Sequence, residues 1–150
     1  MPDRKTLERA AKDKREGKAP TTQAGEFVRE EIEHIREGEH GARSTEQAIA
    51  IGLSKARRAG VKLPPPKKGT TSSATRKRAE RDYEAGKKAS KRTSTRRAKA
   101  TKRALKRESR AAASRTALSK HAKKVARTRS ASSRSAAARK AARTRARKRR

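Results

Sequence analysis
The chain has 150 residues, 47 of them Lys or Arg against 15 Asp or Glu, for a formal net charge of +32. Only 29% of residues are hydrophobic and 1% aromatic, and there is no cysteine. This excludes a large apolar core, a disulfide framework and thiolate or cysteine–zinc chemistry. No apolar run approaches the roughly 20 residues of a membrane helix, and the N-terminus lacks the apolar stretch of a signal peptide.

Charge is distributed unevenly. Residues 1–69 carry 16 Lys/Arg and 11 Asp/Glu, whereas residues 70–150 carry 31 and 4, with no acid after Glu108. The large apolar residues (Leu7, Phe27, Val28, Ile32, Ile35, Ile49, Ile51, Leu53, Val61, Leu63) concentrate in the first part. The predicted fold class is mainly α. A small helical module, an αα-hairpin plus an N-terminal helix, spans 1–63. A Pro-rich linker follows at 64–69, around Pro64-Pro65-Pro66. A long, largely disordered Ala/Lys/Arg/Ser tail is predicted over 70–150.

The first predicted helix runs from about Asp3 to Glu16 and stops at Gly17. Its apolar content, Leu7, Ala10 and Ala11, is thin enough that it forms on docking. The second runs from near Thr22 to before Gly38. Val28, Ile32 and Ile35 fall at i, i+4, i+7 with Phe27 beside them, and Glu26, Glu30, Glu31 and Glu33 lie toward the N-terminal half, where the macrodipole favours them. The third starts at Ser44, with Gln47 at capping-box spacing, and presents Ala48, Ile49, Gly52, Leu53 and Ala56 on one face. Lys55, Arg57 and Arg58 fill its last turn, and Gly60-Val61 gives a Schellman-type ending. The segment Gly38–Arg43 joins helices two and three as a hairpin, and Gly52 permits their close approach. A unit this small is marginal alone, so a homodimer or a protein partner would supply missing burial.

In the tail, 20 alanines alternate with cations. Charge repulsion and the lack of an apolar stripe oppose helix formation in free solution; bound phosphates would relieve the repulsion. Ser and Thr read as small polar spacers, with phosphorylation as the competing reading. Such a segment is a multivalent partner for phosphate polymers. The nucleic-acid-binding residues are assigned as Arg76, Lys77, Arg78, Lys87, Lys88, Arg96, Arg97, Lys102, Arg103, Lys123, Lys124, Arg139, Lys140, Arg147, Lys148, Arg149 and Arg150. With neither Asn nor Gln in the tail to read adenine, and with Tyr83 as its lone aromatic, binding is expected to ignore base sequence and to favour DNA over RNA.

Other signals are weak. Glu30, His34, Glu37 and His40 resemble a ligand set, but Gly38 breaks the helix between the histidines, and no metal site is assigned. Gly17–Thr22 lacks the upstream glycine and strand of a phosphate loop. No catalytic residue and no cofactor is assigned, and an enzyme is not expected. A helix-turn-helix reading of residues 22–60 would place Arg43, Lys55, Arg57 and Arg58 against DNA. A packing or dimerisation hairpin is the alternative, because the joint is long and the cations cluster at the wrong end of the third helix.

The stretches Gly25-Glu26-Phe27-Val28-Arg29-Glu30-Glu31-Ile32 and His40–Gly60 resemble a family of small basic bacterial proteins of uncharacterised function, over roughly residues 20–68. The tail resembles those of bacterial histone H1-like proteins. The second resemblance implies a cytoplasmic, nucleoid-associated protein that compacts DNA. An RNA- or ribosome-associated basic protein, and an adaptor whose helical module recruits a partner, are the alternatives.

Overall fold
A computed structural model describes residues 2–88 and 94–148. Among them the regular structure is entirely helical: α1 Arg4–Arg15, α2 Pro20–Glu37, α3 Thr45–Arg58, α4 Ser73–Lys87, α5 Thr95–Lys106, a 3₁₀ turn Arg110–Ala113, α6 Arg115–Thr128 and α7 Ala131–Lys148. Two compact units result, residues 1–114 and 115–150.

The first three helices form where the sequence places them, α2 starting two residues early because Pro20 takes the first helical position. Ser44 caps α3 by accepting from the Gln47 amide at 3.1 Å. The Gln47 side chain in turn accepts from the Arg43 amide at 2.7 Å, one residue before the usual capping-box partner. At the end of α3 the Val61 amide donates to the Ala56 carbonyl at 3.1 Å and the Gly60 amide to Arg57 at 3.0 Å. Gly60 is left-handed, with φ +88°, which completes a Schellman ending over the buried pair Ala56 and Val61. Ala10, Ala24, Phe27, Ala56, Val61 and Leu63 form one core cluster, with Leu53 packed against it. Ile32, Ile35 and Ala48 are also buried, whereas Leu7 stays 40% exposed.

The predicted disordered tail is not what forms. The basic region carries four α-helices and a 3₁₀ turn, and its first part belongs to the N-terminal unit. Helix α4 packs on α3: Ala79 is buried, Ser54 Oγ donates to Asp82 at 2.7 Å, and an added Cβ on Gly86 would meet the Arg57 carbonyl oxygen. Farther on, the chain docks against the α2–α3 joint. The Gly41 amide donates to the Leu105 carbonyl at 2.9 Å and the Ala42 amide to Ser109 at 3.0 Å. Thr45 Oγ1 donates to Ala112 at 2.7 Å and Arg36 Nε to Ala113 at 2.9 Å; Ala112 and Ala113 are buried. The compact unit therefore extends to Ser114, while the sequence expectation ends the module at Leu63.

Two physical terms outweigh the repulsion that argued for disorder. Ala, Arg and Lys all have high helix propensity, and serine side chains cap α4, the 3₁₀ turn and α7. Ser72 Oγ accepts from the Thr75 amide, Ser109 Oγ from Ala111 and Ser130 Oγ from Ser133 at the head of α7. Residues read as spacers thus act as caps.

Candidate nucleic-acid interface
The cations divide by what neutralises them. In the α3 region every cation of the helix-turn-helix reading has a protein partner. Arg57 is 7% exposed and donates to the Leu63 carbonyl at 3.2 Å and Pro64 at 3.3 Å, folding the proline run back onto α3. Burial lowers its pKa, against the opposing charge of Asp82. Arg58 pairs with Asp82 at 3.6 Å and Arg43 with Glu108 at 3.4 Å. Lys55 Nζ lies 2.7 Å from Glu31 and 3.4 Å from Glu30. With α4 packed against α3 as well, these contacts support the packing-hairpin alternative.

The residues assigned from sequence fall into three sets. Arg76 is half-buried and paired with Glu80 at 2.9 Å. Lys87 donates to Glu84 at 2.8 Å, which raises its pKa, and stands 4.5 Å over the Tyr83 ring. These two are partly committed to α4 itself. Lys77, Arg78, Lys88, Arg96, Arg97, Lys102, Arg103, Lys123, Lys124, Arg139, Lys140 and Arg147 are exposed on helices or at their ends. Lys148 closes α7, and Arg149 and Arg150 lie outside the described residues.

Helix geometry groups the exposed set. On α5, Lys99, Lys102, Arg103 and Lys106 fall at i, i+3, i+4, i+7, one cationic stripe flanked by the half-buried Leu105. At α3 and α4, Arg58, Arg78 and Arg81 line a shallow hollow with Asp82 and Ala85. Residues 115–150 contain fifteen Lys/Arg and no Asp or Glu. Within them α7 is exposed along its described length and carries seven cations in 18 residues. That helix is about 27 Å long, so it bears a cation about every 4 Å, close to the ~3.4 Å phosphate spacing along one DNA strand. Both aromatic rings are engaged internally: Phe27 is buried, and Tyr83 is half-buried beneath Lys87. Sequence reasoning identified the charge but missed the stripe, because it assigned no helical register to the tail.

Residues 5–68 match the model of a family of unknown function (DUF6496). That segment covers α1 from its second residue, α2, α3 and the whole proline run, and leaves the basic helices outside. No curated protein and no solved structure matches the chain. Among the described residues no helix is long and apolar enough to cross a membrane.

Proposed function
We propose that the chain is a nucleic-acid-binding protein that neutralises the phosphates of duplex DNA without reading sequence, in the manner of histone H1-like nucleoid proteins. The observation that carries this reading is the composition of residues 115–150, fifteen Lys/Arg and no Asp or Glu of their own. Each phosphate contacted releases condensed counterions, so affinity arises from charge density rather than from a fitted site. The α5 stripe in one unit and the cations of α6 and α7 in the other give a single chain two cationic surfaces. Two such surfaces bridge neighbouring duplex segments by effective concentration, which is the physical basis of compaction. The engaged aromatic rings leave no platform for stacking single-stranded bases, favouring a duplex partner.

The test is fluorescence anisotropy of the full chain against two unrelated DNA duplexes and a structured RNA, across a salt series. Equal affinity for the two duplexes, RNA no tighter than DNA, and a log–log salt slope near −9 for about ten engaged cations are expected. Light scattering should rise as duplexes are bridged. Tighter binding to RNA would redirect the reading to a ribosome- or transcript-associated protein, and indifference to both polymers near physiological salt would end it.

A further inference from the structure
The loop closing α2 builds a polar pocket that phosphate binding does not use. Glu31 and His34 lie at i, i+3 on α2, on one face of the helix. The helix then ends at Gly38, whose φ of +87° only glycine adopts without strain. Its amide donates to Ile35, and the Glu39 amide donates to the His34 carbonyl at 3.0 Å. This reversal, which in sequence separates the two histidines, in space brings His40 back against His34. Their ring centroids are 6.4 Å apart, edge-on at 77°.

Three donor atoms converge there. The Glu31, His34 and His40 ligand atoms all lie within 4.8 Å of one another. Glu31 is fully buried, and neither of its carboxylate oxygens accepts a hydrogen bond of good geometry. Lys55 Nζ pairs with Oε2 at 2.7 Å, leaving Oε1 facing His40 Nε2 at 3.4 Å. His40 Nδ1 is 3.1 Å from the Gly41 carbonyl oxygen. A carbonyl only accepts, so Nδ1 carries a hydrogen, and in the neutral ring Nε2 points its lone pair at the carboxylate. Two acceptors facing each other are bridged either by a proton or by a metal ion. The 3.4 Å separation matches the donor–donor edge of about 3.4 Å in a tetrahedral zinc site with bonds near 2.05 Å.

The surroundings favour a dication. Asp3 Oδ2 is 3.3 Å and Glu39 Oε1 3.9 Å from His34 Nε2. Glu30, 2% exposed, joins Asp3 and His34 in an overlapping ligand set. Four carboxylates thus lie near the two imidazoles, and Lys55 pairs with two of them. Two imidazoles and a carboxylate suit zinc and its neighbours in the first transition row and leave a position for water or Glu39.

We propose that Glu31, His34 and His40 bind a divalent transition-metal ion of the zinc type, which fastens the end of α2 to the loop on which residues 105–109 dock. This is independent of the nucleic-acid reading. The test is calorimetric titration of chelator-treated full-length protein with ZnCl₂ at neutral pH in a weakly coordinating buffer, with thermal melting and Co²⁺ absorption alongside. One ion per chain, a Tm that climbs with free Zn²⁺, and the intense visible bands of four-coordinate Co²⁺ are expected. His34→Ala and His40→Ala should each weaken uptake at least about tenfold, and His121→Ala should leave it unchanged. Should the first two variants fail to fold, the wild-type Co²⁺ spectrum still decides. No uptake by folded wild-type chain at about 100 µM Zn²⁺, only the faint bands of hydrated Co²⁺, or full uptake by a folded His40→Ala variant would overturn the site.

Discussion

The approach of α2 to α3 rests on Gly52, and replacing it gives a sharp test of the fold. A Cβ built at Gly52 would lie 2.6 Å from Val28 Cα, 2.9 Å from Val28 N and 3.0 Å from the Phe27 carbonyl oxygen. All three are backbone atoms of α2, so no side-chain rotation relieves the clash; the helices must separate by about 1 Å to restore ordinary contact. Separation loosens a seam lined by Ala24, Phe27, Ile35, Ala48 and Ala56, all at most 1% exposed. Overpacking of this kind costs about 3 kcal/mol at the upper end of its usual range. Removing a helical glycine returns about 1 kcal/mol of propensity. The net loss for Gly52→Ala is therefore about 2 kcal/mol, a fall in Tm of roughly 8 °C for a unit of this size. Gly25→Ala is the internal control. Gly25 lies within α2, is exposed, and would bring an added methyl within 4 Å of nothing, so only the propensity gain of about 1 kcal/mol remains and Tm should rise. Thermal melts followed by circular dichroism read both. If Gly52→Ala melts at or above the wild type, the close α2–α3 contact is wrong.

Three further outcomes follow from other parts of the molecule. Gly86→Ala should press a methyl onto the Arg57 carbonyl, lift the end of α4 from α3 and speed amide exchange over residues 79–87; unchanged exchange would mean that α4 is not docked. Cutting the chain after Ser114 removes fifteen cations, so the salt slope for duplex binding, near −9 for the full chain, should flatten by several units, with affinity near physiological salt falling more than tenfold; an unchanged slope would remove residues 115–150 from the interface. Lys18 bridges Asp13 at 2.7 Å and Glu16 at 2.8 Å, contacts that raise its own pKa and lower that of Glu16. The small Tm difference between wild type and Lys18→Met should therefore be present near neutrality. It should fade below about pH 4.3 as Glu16 protonates and above about pH 10.4 as the ammonium titrates. A pH-independent difference would refute the linkage.

The elements that could be read directly are those with local punctuation. Ser44 with Gln47, Gly38, Gly60 followed by Val61, and the Val28–Ile32–Ile35 stripe each specify a boundary or a face within one or two turns. What escaped the reading depends on small side chains and distant partners. Ala79, Ala112, Ala113 and Gly86 bury themselves against α2 and α3 because they let backbones meet, and an inventory of large apolar residues does not register them. Burial of Glu30 and Glu31 was equally illegible. In sequence they resemble Glu26 and Glu33 on the same helix, which pair with Arg9 and Arg29 and stay partly exposed, and only Lys55, which reaches both carboxylates from α3, sets them apart. The same holds for His40, whose distance from His34 along the helix axis is undone by one left-handed residue.

Charge segregation explains how so cationic a chain both folds and keeps charge in reserve. All fifteen acids lie within residues 3–108, where ion pairs run from Arg4–Glu8 to Arg43–Glu108. In that unit carboxylates offset the repulsion that compaction would otherwise impose, and an alanine- and glycine-rich interior lets helices approach without a large apolar inventory. Beyond Glu108 nothing acidic remains in the sequence, and α6 and α7 are built from residues of high helix propensity, with Ser130 capping α7. A helix maintained in that way needs no internal counter-charge. On α7 the cations from Arg134 to Arg147 are exposed to solvent.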